Sequence, residues 1–258
     1  MSDLPRGLCD LATPDLETLL KAAEAGQLQC PPTSAALVGQ GLGERASALA
    51  QLLHGLDRTG VEVALRVALA ERAHRPPPRL DLVWTGPEAG TAPTRDTAIV
   101  VRQLFQQAQR SVIVAGFRFD HGEELLRPLH VAMKERAVSA KFFLDIDGEA
   151  TSAAGADAFA TKKIDEFFAE NWPFGQPRPD VYYDPRTAMP GPPWASLHAK
   201  CVVVDERVTL IGSANFTDRG QSRNIEAGVL IEDEDFAKRV VGQWRSLVEA
   251  GLVRRYEG

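Results

Sequence analysis

The sequence predicts an α/β domain with a central β-sheet, preceded by a small helical region. Apolar residues recur at helical spacing through residues 14–74. The stretch RPPPR at 75–79 is a stiff break in this pattern. Beyond it, β-branched stretches alternate with stretches of helical period, which is typical of α/β domains. We therefore predict a helical N-terminal region over residues 1–78 and an α/β domain over residues 79–258.

Turn-forming residues divide the helical region into segments. Pro31 and Pro32, and then Gly41 and Gly43, interrupt the helical period. The apolar stripes on either side consist of Leu16, Leu19 and Leu20, and of Ala46, Leu49, Leu52, Leu53 and Leu56. The last segment, VEVALRVALAERAH at 61–74, is predicted to be a helix, although its Val-Glu-Val start resembles a strand.

The elements of the α/β domain follow from the change of period along the chain. Predicted strands lie at 79–85, 111–119, 140–146, 180–184, 196–205, 208–213 and 224–231. Predicted helices lie at 96–109, with Asp96 as the N-cap, and at 123–137, 157–171 and 235–251. A loop rich in proline and glycine, at 185–196, leads into the strand that begins SLHAK.

The charge balance limits the kinds of partner that the protein can have. The 258 residues include 35 acidic and 29 basic side chains, for a net charge of -6. A protein that coats nucleic acid without regard to sequence needs a broadly basic surface, and this composition argues against such a surface. A local basic groove on an acidic body remains compatible with it.

The sequence also predicts a cytoplasmic protein without metal or cofactor. The N-terminus lacks a basic segment followed by an apolar run, so we expect no signal peptide. No apolar stretch reaches about 18 residues, so we expect no membrane insertion. The cysteines Cys9, Cys30 and Cys201 are too few and too scattered for a disulfide framework or a zinc site.

One short stretch, SLHAKCVVVD at 196–205, carries polar residues where a buried strand would not place them. If the stretch is a strand throughout, His198 and Lys200 share one face, about 7 Å apart, and Cys201 points to the other face. Such a pair alone is more typical of structural residues than of a catalytic site. The pair, however, opens a longer pattern, H-x-K-x4-D-x6-G-S-x-N, which ends at Asn215.

This pattern resembles the HKD motif of the phospholipase D superfamily at every defining position. The stretch NIEAGVLI at 224–231 is similar to the strand of small bacterial nucleases of that superfamily that carries a glutamate facing the histidine. The resemblance implies a phospholipase D-like mixed β-sheet flanked by helices. It also implies metal-independent cleavage of a phosphodiester through a covalent phosphohistidine. The activity that it implies first is that of a nuclease acting on DNA.

Phosphodiester cleavage needs a nucleophile, an acid for the leaving oxygen and donors around the phosphoryl oxygens. His198 is the predicted nucleophile, and Glu226 is predicted to fix its tautomer by accepting the proton on Nδ1. Lys200, Ser213 and Asn215 are predicted to bind the phosphate oxygens. Asp205 completes the candidate catalytic set as a motif member, although a carboxylate before a turn more commonly caps backbone N–H groups.

The chain carries this motif once, whereas the mechanism implied by the resemblance uses two histidines. The other histidines, His54, His74, His121 and His130, lack a lysine two positions later. We therefore expect a two-fold homodimer in which two copies of His198 complete one site. His121, after a predicted strand, is the alternative acid within one chain.

Two other functions remain open at this point. A phospholipase or phosphatidyltransferase would share the chemistry, and a catalytically silent nucleic-acid-binding subunit would share the fold. Trp194 near the motif could stack on a base or touch lipid, and Arg118, Arg219 and Arg223 are candidates for a local groove. The layout also resembles the phospholipase D-like component of the DISARM anti-phage systems, which implies DNA-directed work in defence, with other defence-system subunits as partners.

Overall fold

The computed structural model describes residues 7–8, 11–73, 78–87, 95–120, 122–146, 148, 150–217, 219–220 and 223–258. The chain forms two compact units, residues 1–77 and residues 78–258. Three of the residues discussed above lie outside the described residues, namely Cys9, His74 and His121.

The first unit is helical over its described residues. Its helices are α1 (Thr13–Glu24), α2 (Ser34–Gly39), α3 (Ala46–Leu52) and α4 (Arg58–Ala73). Their leucines form a separate apolar core in which Leu16, Leu49 and Leu65 are almost fully buried. The Val-Glu-Val start at residue 61 is helical, because Val61 and Leu65 lie one helical turn apart on the buried face.

The second unit is built on one mixed β-sheet. Its strands are β1 (Arg79–Thr85), β2 (Arg95–Asp96), β3 (Ser111–Gly116), β4 (Ser139–Leu144), β5 (Asp180–Tyr183), β6 (Cys201–Val204), β7 (Val208–Gly212), β8 (Glu226–Glu232) and β9 (Arg254–Arg255). Within the described residues their order is β2-β1-β8-β7-β6-β3-β4-β5-β9. The pairs β1–β2, β3–β4 and β4–β5 are parallel and the remaining pairs are antiparallel.

Helices cover both faces of this sheet, which confirms the predicted fold class. One core joins the sheet to α5 (Thr97–Gln107), α6 (Glu123–Arg136) and α7 (Ala156–Asn171). The other face packs on α8 (Glu234–Glu249) through Ala237, Val241 and Trp244. Alternation along β6 divides its valines and cysteine between the cores, with Val202 and Val204 in the first and Cys201 and Val203 in the second.

The helices are short relative to a bilayer. The longest, α4, α7 and α8, have 16 residues each, whereas a membrane-spanning helix needs about 20 apolar residues. Across the residues that the structure describes, no helix has the length and apolarity that a membrane crossing requires.

Two predicted strands are shorter than expected, and both differences shape the candidate site. The strand predicted at 111–119 ends at Gly116, where an added Cβ would lie 2.4 Å from the ring of Phe119. The strand predicted from residue 196 begins only at Cys201. The backbone N–H of Leu197 donates to the Asp145 side chain instead of to a neighbouring strand.

Candidate active site

The predicted site residues other than Asp205 gather at one edge of the sheet. Because β6 is antiparallel to β3 and β7, the ends of β3, β4 and β7 meet the starts of β6 and β8 at this edge. The side chains that follow or precede these strand ends are Phe117, Asp145, His198, Lys200, Ser213, Asn215 and Glu226. We call this the catalytic edge.

His198 and Lys200 contact each other directly, which corrects the expected separation of about 7 Å. The Lys200 Nζ lies 3.0 Å from Nδ1 and 3.1 Å from Nε2 of the imidazole, and 3.0 Å from the His198 carbonyl oxygen. The pair precedes β6 and so does not follow strand alternation. The imidazole is exposed, whereas Lys200 is only 9% exposed. A substrate can therefore reach the ring while the ammonium stays shielded beneath it.

Phe117 forms the wall against which this pair rests. Its ring centroid lies 4.5 Å from that of His198, and the Lys200 Nζ lies 4.9 Å from it. The Arg118 guanidinium carbon lies 5.6 Å from the same centroid. The faces of the Phe117 ring therefore attract cations. The ring also limits the movement of the imidazole. Sequence considerations missed Phe117 because they assigned residues 111–119 to one continuous apolar strand.

Burial changes the proton affinity of Lys200. Desolvation lowers the pKa of its ammonium below the ordinary value, while the negative charges of Glu226 and Asp145 raise it. The protein therefore keeps a partly desolvated cation at the catalytic edge, where an incoming phosphate would be attracted more strongly than by a fully hydrated lysine.

Glu226 is held by β7 and β8 rather than by the histidine. Its Oε2 accepts from the Ser213 hydroxyl at 2.5 Å, and its Oε1 accepts from the Asn224 amide at 3.0 Å. Within the described part of the chain, no hydrogen bond joins Glu226 to His198, so the expected Nδ1 contact is not observed. Glu226 lies close to Ser213 because β7 and β8 are hydrogen-bonded to each other at this point. The Ser213 N–H donates to the Ala227 carbonyl oxygen, and the Ala227 N–H donates to the Ser213 hydroxyl.

Asn215 is half-buried just beyond β7, where a glycine allows the chain to fold back on it. A Cβ added to Gly220 would lie 2.5 Å from the Asn215 carbonyl oxygen and 2.9 Å from its nitrogen. The buried Gly220 N–H donates to the Thr217 hydroxyl at 3.1 Å. Only glycine fits this approach, which fixes the backbone that carries the amide.

Asp205 lies at the other end of β6, roughly 20 Å along the chain from His198. Its carboxylate accepts from the backbone N–H groups of Gln109, Arg110 and Ser111 at 2.7–2.9 Å. Asp205 and Glu206 both have φ 55°, as in a tight hairpin turn. Asp205 is therefore a backbone cap in this structure, as is common for a carboxylate before a turn, and it does not lie at the catalytic edge.

The remaining candidates differ in their exposure. Cys201 is buried, and burial raises the pKa of its thiol to about 11, so it is an unreactive core residue at neutral pH. Trp194 is 65% exposed on the loop before His198, and Arg118, Arg219 and Arg223 are exposed as well. Among the described residues, no cluster of histidine, cysteine, aspartate or glutamate has the size of a metal site.

Comparisons with known proteins identify relatives of limited similarity. The chain is 27% identical over 157 residues to the DISARM protein DrmC of Bacillus paralicheniformis, and 25% identical over 156 residues to the phospholipase D of Rickettsia typhi. Each alignment covers 60% of this chain, and it spans 58% and 64% of the respective relative. Among solved structures, NucT from Helicobacter pylori superposes with a TM-score of 0.48 at 16% identity, over 67% of this chain and 97% of NucT.

A family model described as "Cardiolipin synthase, PLD-like domain" matches residues 101–247. The matched range begins within α5 and ends within α8, and it contains the whole HKD pattern from His198 to Asn215. It covers more than half of the 258 residues. The chain therefore belongs to the phospholipase D superfamily.

Proposed function

We propose that the protein is a metal-independent phosphodiesterase, and specifically a nuclease that acts on DNA. The observation that carries this proposal is the exposed imidazole of His198 in contact with the shielded ammonium of Lys200. An accessible nucleophile and a cation for a phosphoryl oxygen are the groups that this reaction requires. Binding alone would need cations but no imidazole held in this way, which argues against a catalytically silent subunit.

The proposed reaction has two steps. In the first, a ring nitrogen of His198 forms a bond to phosphorus, the bond from phosphorus to the leaving oxygen breaks, and an acid protonates that oxygen. In the second, water attacks the phosphohistidine, the bond between nitrogen and phosphorus breaks, and the same acid, now a base, takes the proton from water. Lys200, Ser213 and Asn215 stabilise the charge on the phosphoryl oxygens.

In this proposal Glu226 acts in two ways, through its hydrogen bond with Ser213 and through its negative charge. By accepting the hydroxyl proton of Ser213, the carboxylate fixes the orientation of that side chain. Orientation of the His198 tautomer by Glu226 requires the carboxylate to exchange its Ser213 or Asn224 partner for the imidazole. We propose that this exchange accompanies substrate binding.

The acid in this scheme is the His198 of a second copy of the chain. His130 is not available for this task, because its ring stacks on Phe174 at 4.9 Å and contacts the Gln176 carbonyl oxygen. A two-fold axis beside the catalytic edge would place two copies of His198, Lys200 and Asn215 around one phosphate. The proposed active form is a homodimer.

A DNA substrate and a place in anti-phage defence are supported by the similarity to a DISARM protein, together with the resemblance of residues 224–231 to a nuclease strand. Other defence-system subunits are then the expected partners and the cytoplasm the expected site of action. The second candidate function, cleavage or transfer of a phospholipid headgroup, is favoured by the similarity to a phospholipase D and by the exposed Trp194.

The substrate class is tested by assays in the presence of EDTA on single-stranded DNA, duplex DNA, RNA, bis(p-nitrophenyl) phosphate and phospholipid vesicles. His198→Ala should lower the rate by about 10² to 10⁴-fold or more, whereas His54→Ala, a matched change of an exposed histidine, should not. Turnover of vesicles without cleavage of any nucleic acid would favour the lipid function. Binding of DNA without any cleavage would support the silent subunit.

The shared site is tested by mixing wild-type chains with excess His198→Ala chains under conditions of subunit exchange. If each site needs two imidazoles, every mixed dimer is inactive, and activity falls with the square of the wild-type fraction. A fall in simple proportion to that fraction, or full activity of a monomer at high dilution, would contradict the proposal.

A further inference from the structure

Asp145 connects the end of β4 to the residue before the candidate nucleophile. Its Oδ1 accepts from the backbone N–H of Leu197 at 2.6 Å, across 52 positions of sequence. Its own N–H donates to the Gly116 carbonyl oxygen at 3.3 Å, next to Phe117. The half-buried carboxylate therefore lies between the strand end that carries Phe117 and the segment that carries His198.

Leu197 is fixed from two sides by this arrangement. Its side chain is 8% exposed and packs in the core beneath α8 with Phe143 and Cys201. Its N–H is held by Asp145. Because the segment before β6 has no strand partner at this N–H, the carboxylate replaces the hydrogen bond of the ladder. A loss of this bond would release the backbone directly before His198.

The charge of Asp145 also acts on Lys200 from the side opposite to Glu226. In the strand order, β4 and β8 each lie two strands from β6, in opposite directions. The groups that surround the ammonium are Glu226 from β8, Asp145 from β4, His198 from its own segment and the ring of Phe117 after β3. The two carboxylates oppose the effect of burial on this lysine.

We propose that Asp145 is a positioning residue that holds the backbone before His198 and adds negative charge to the surroundings of Lys200. It touches neither the substrate nor the reacting atoms in this scheme. The proposal stands on the hydrogen bond that Asp145 accepts from the Leu197 N–H. Its charge part can be tested without any activity, whereas its kinetic consequence rests on the proposed phosphodiesterase function.

The charge part is tested without any activity measurement, by NMR titration of the side-chain Cε resonance of Lys200 in protein labelled with ¹³C-lysine. The Lys200→Arg spectrum identifies the resonance. Asp145→Asn keeps an oxygen for the Leu197 N–H but removes the charge, so the Lys200 midpoint should move to lower pH. Asp180→Asn, at the start of β5 with Arg255 as its partner, is the matched control and should leave the midpoint unchanged.

The positioning part is tested by kinetics on bis(p-nitrophenyl) phosphate. Asp145→Ala loses both the charge and the hydrogen bond and should lower kcat by roughly 10²-fold, as expected for a displaced catalytic group. Asp145→Asn should recover most of that loss in kcat at a pH where Lys200 remains charged. The alkaline limb of its pH–rate profile should shift to lower pH.

Two results would overturn the proposal, and the first of them does so independently of the proposed function. A Lys200 midpoint in Asp145→Asn that matches the wild type would exclude the charge effect. Equal kcat losses in Asp145→Asn and Asp145→Ala would exclude the hydrogen-bond clamp. If Asp145→Ala does not fold, the titration and the kinetics of Asp145→Asn still decide the charge effect. If the wild type cleaves no phosphodiester, the titration alone decides it.

Discussion

The two ends of β6 carry the polar residues of one short motif but use them in different ways. At the Asp205 end, a carboxylate accepts from successive backbone N–H groups, and Arg110 donates back to the Asp205 carbonyl oxygen. At the His198 end, an ammonium is pressed between an imidazole and an aromatic ring. The first arrangement pairs opposite polarities, whereas the second brings together two groups that can both carry positive charge.

This difference separates stabilising residues from residues that are held ready for a ligand. Hydrogen bonds between a carboxylate and backbone N–H groups contribute to folding, since both partners are satisfied within the chain. A cation with little solvent exposure costs free energy unless it is well paired, and the lowered pKa of Lys200 records this cost. Such a cost persists at sites where the group serves another purpose.

The largest expected effect that tests this contrast is that of Lys200→Met. Loss of the ammonium should lower kcat/KM by about 10² to 10⁴-fold, while the free energy of unfolding at neutral pH should equal or exceed that of the wild type. The pKa of Lys200 is lowered in the folded wild type. In the pH window between that lowered pKa and 10.5, the unfolded chain therefore binds more protons than the folded chain. As the pH rises through this window, the stability of the wild type should rise relative to that of Lys200→Met.

Enzyme assays and denaturant unfolding at several pH values check both parts of this prediction. Lys134→Met, a change of an exposed lysine on α6, is the control and should alter neither quantity. A clear loss of stability in Lys200→Met at neutral pH would show that the ammonium stabilises the fold, and the contrast between the ends of β6 would fail.

The next effect is that of Asp205→Ala, which removes the cap. We expect the free energy of unfolding to fall by about 2–4 kcal/mol, because three backbone N–H groups lose a charged acceptor and alanine is strained at φ 55°. Asp205→Asn should lose less, since its amide oxygen still accepts and asparagine tolerates this conformation. At temperatures where Asp205→Ala is folded, its kcat should match that of the wild type.

Urea unfolding and assays on bis(p-nitrophenyl) phosphate measure these quantities. A variant of Asp205 with normal stability and a strongly reduced kcat would place the carboxylate among the catalytic groups after all.

Cys201, at the first position of β6, gives the smallest and most selective effect. Its pKa is about 11 in the folded protein, raised from 9.0 by burial. The stability that a protonated thiol contributes is complete below pH 9 and is lost as the pH rises from 9 to 11, by up to about 2–3 kcal/mol. The difference in unfolding free energy between wild type and Cys201→Ala should change over this range and be constant below it. A constant difference at all pH values would contradict the assignment.

The sequence identifies the residues that lie at the catalytic edge better than it predicts their geometry. The alternation of strands and helices, the HKD spacing and the burial of Cys201 all follow from local pattern. The orientation of His198 and Lys200 does not, because the predicted alternation requires a strand, and Asp145 takes the Leu197 N–H that would extend it. This hydrogen bond joins positions far apart in sequence, and no local period reports it.

The same limit explains Phe117 and Glu226. Phe117 has the composition of a strand residue, and only the ring of Phe119 packed against Gly116 shows why the strand has already ended. Glu226 is predicted to face the histidine, but whether its carboxylate contacts Ser213 or His198 depends on the register of β7 with β8. Register and strand ends are set by the assembled sheet and cannot be derived from one segment.

The pairing of β1 with β8 has a consequence for synthesis of the protein. Thr85 pairs with Glu226, and Arg79 pairs with Glu232, so this antiparallel neighbour of β1 is translated about 150 residues later, whereas β2 follows β1 closely. At typical elongation rates of about 5–20 residues per second, β1 waits on the order of ten seconds for β8. Because Glu226 opens that late strand, a nascent chain cannot assemble the catalytic edge before β8 has been synthesised. Products truncated before β8 should therefore carry no phosphodiesterase activity.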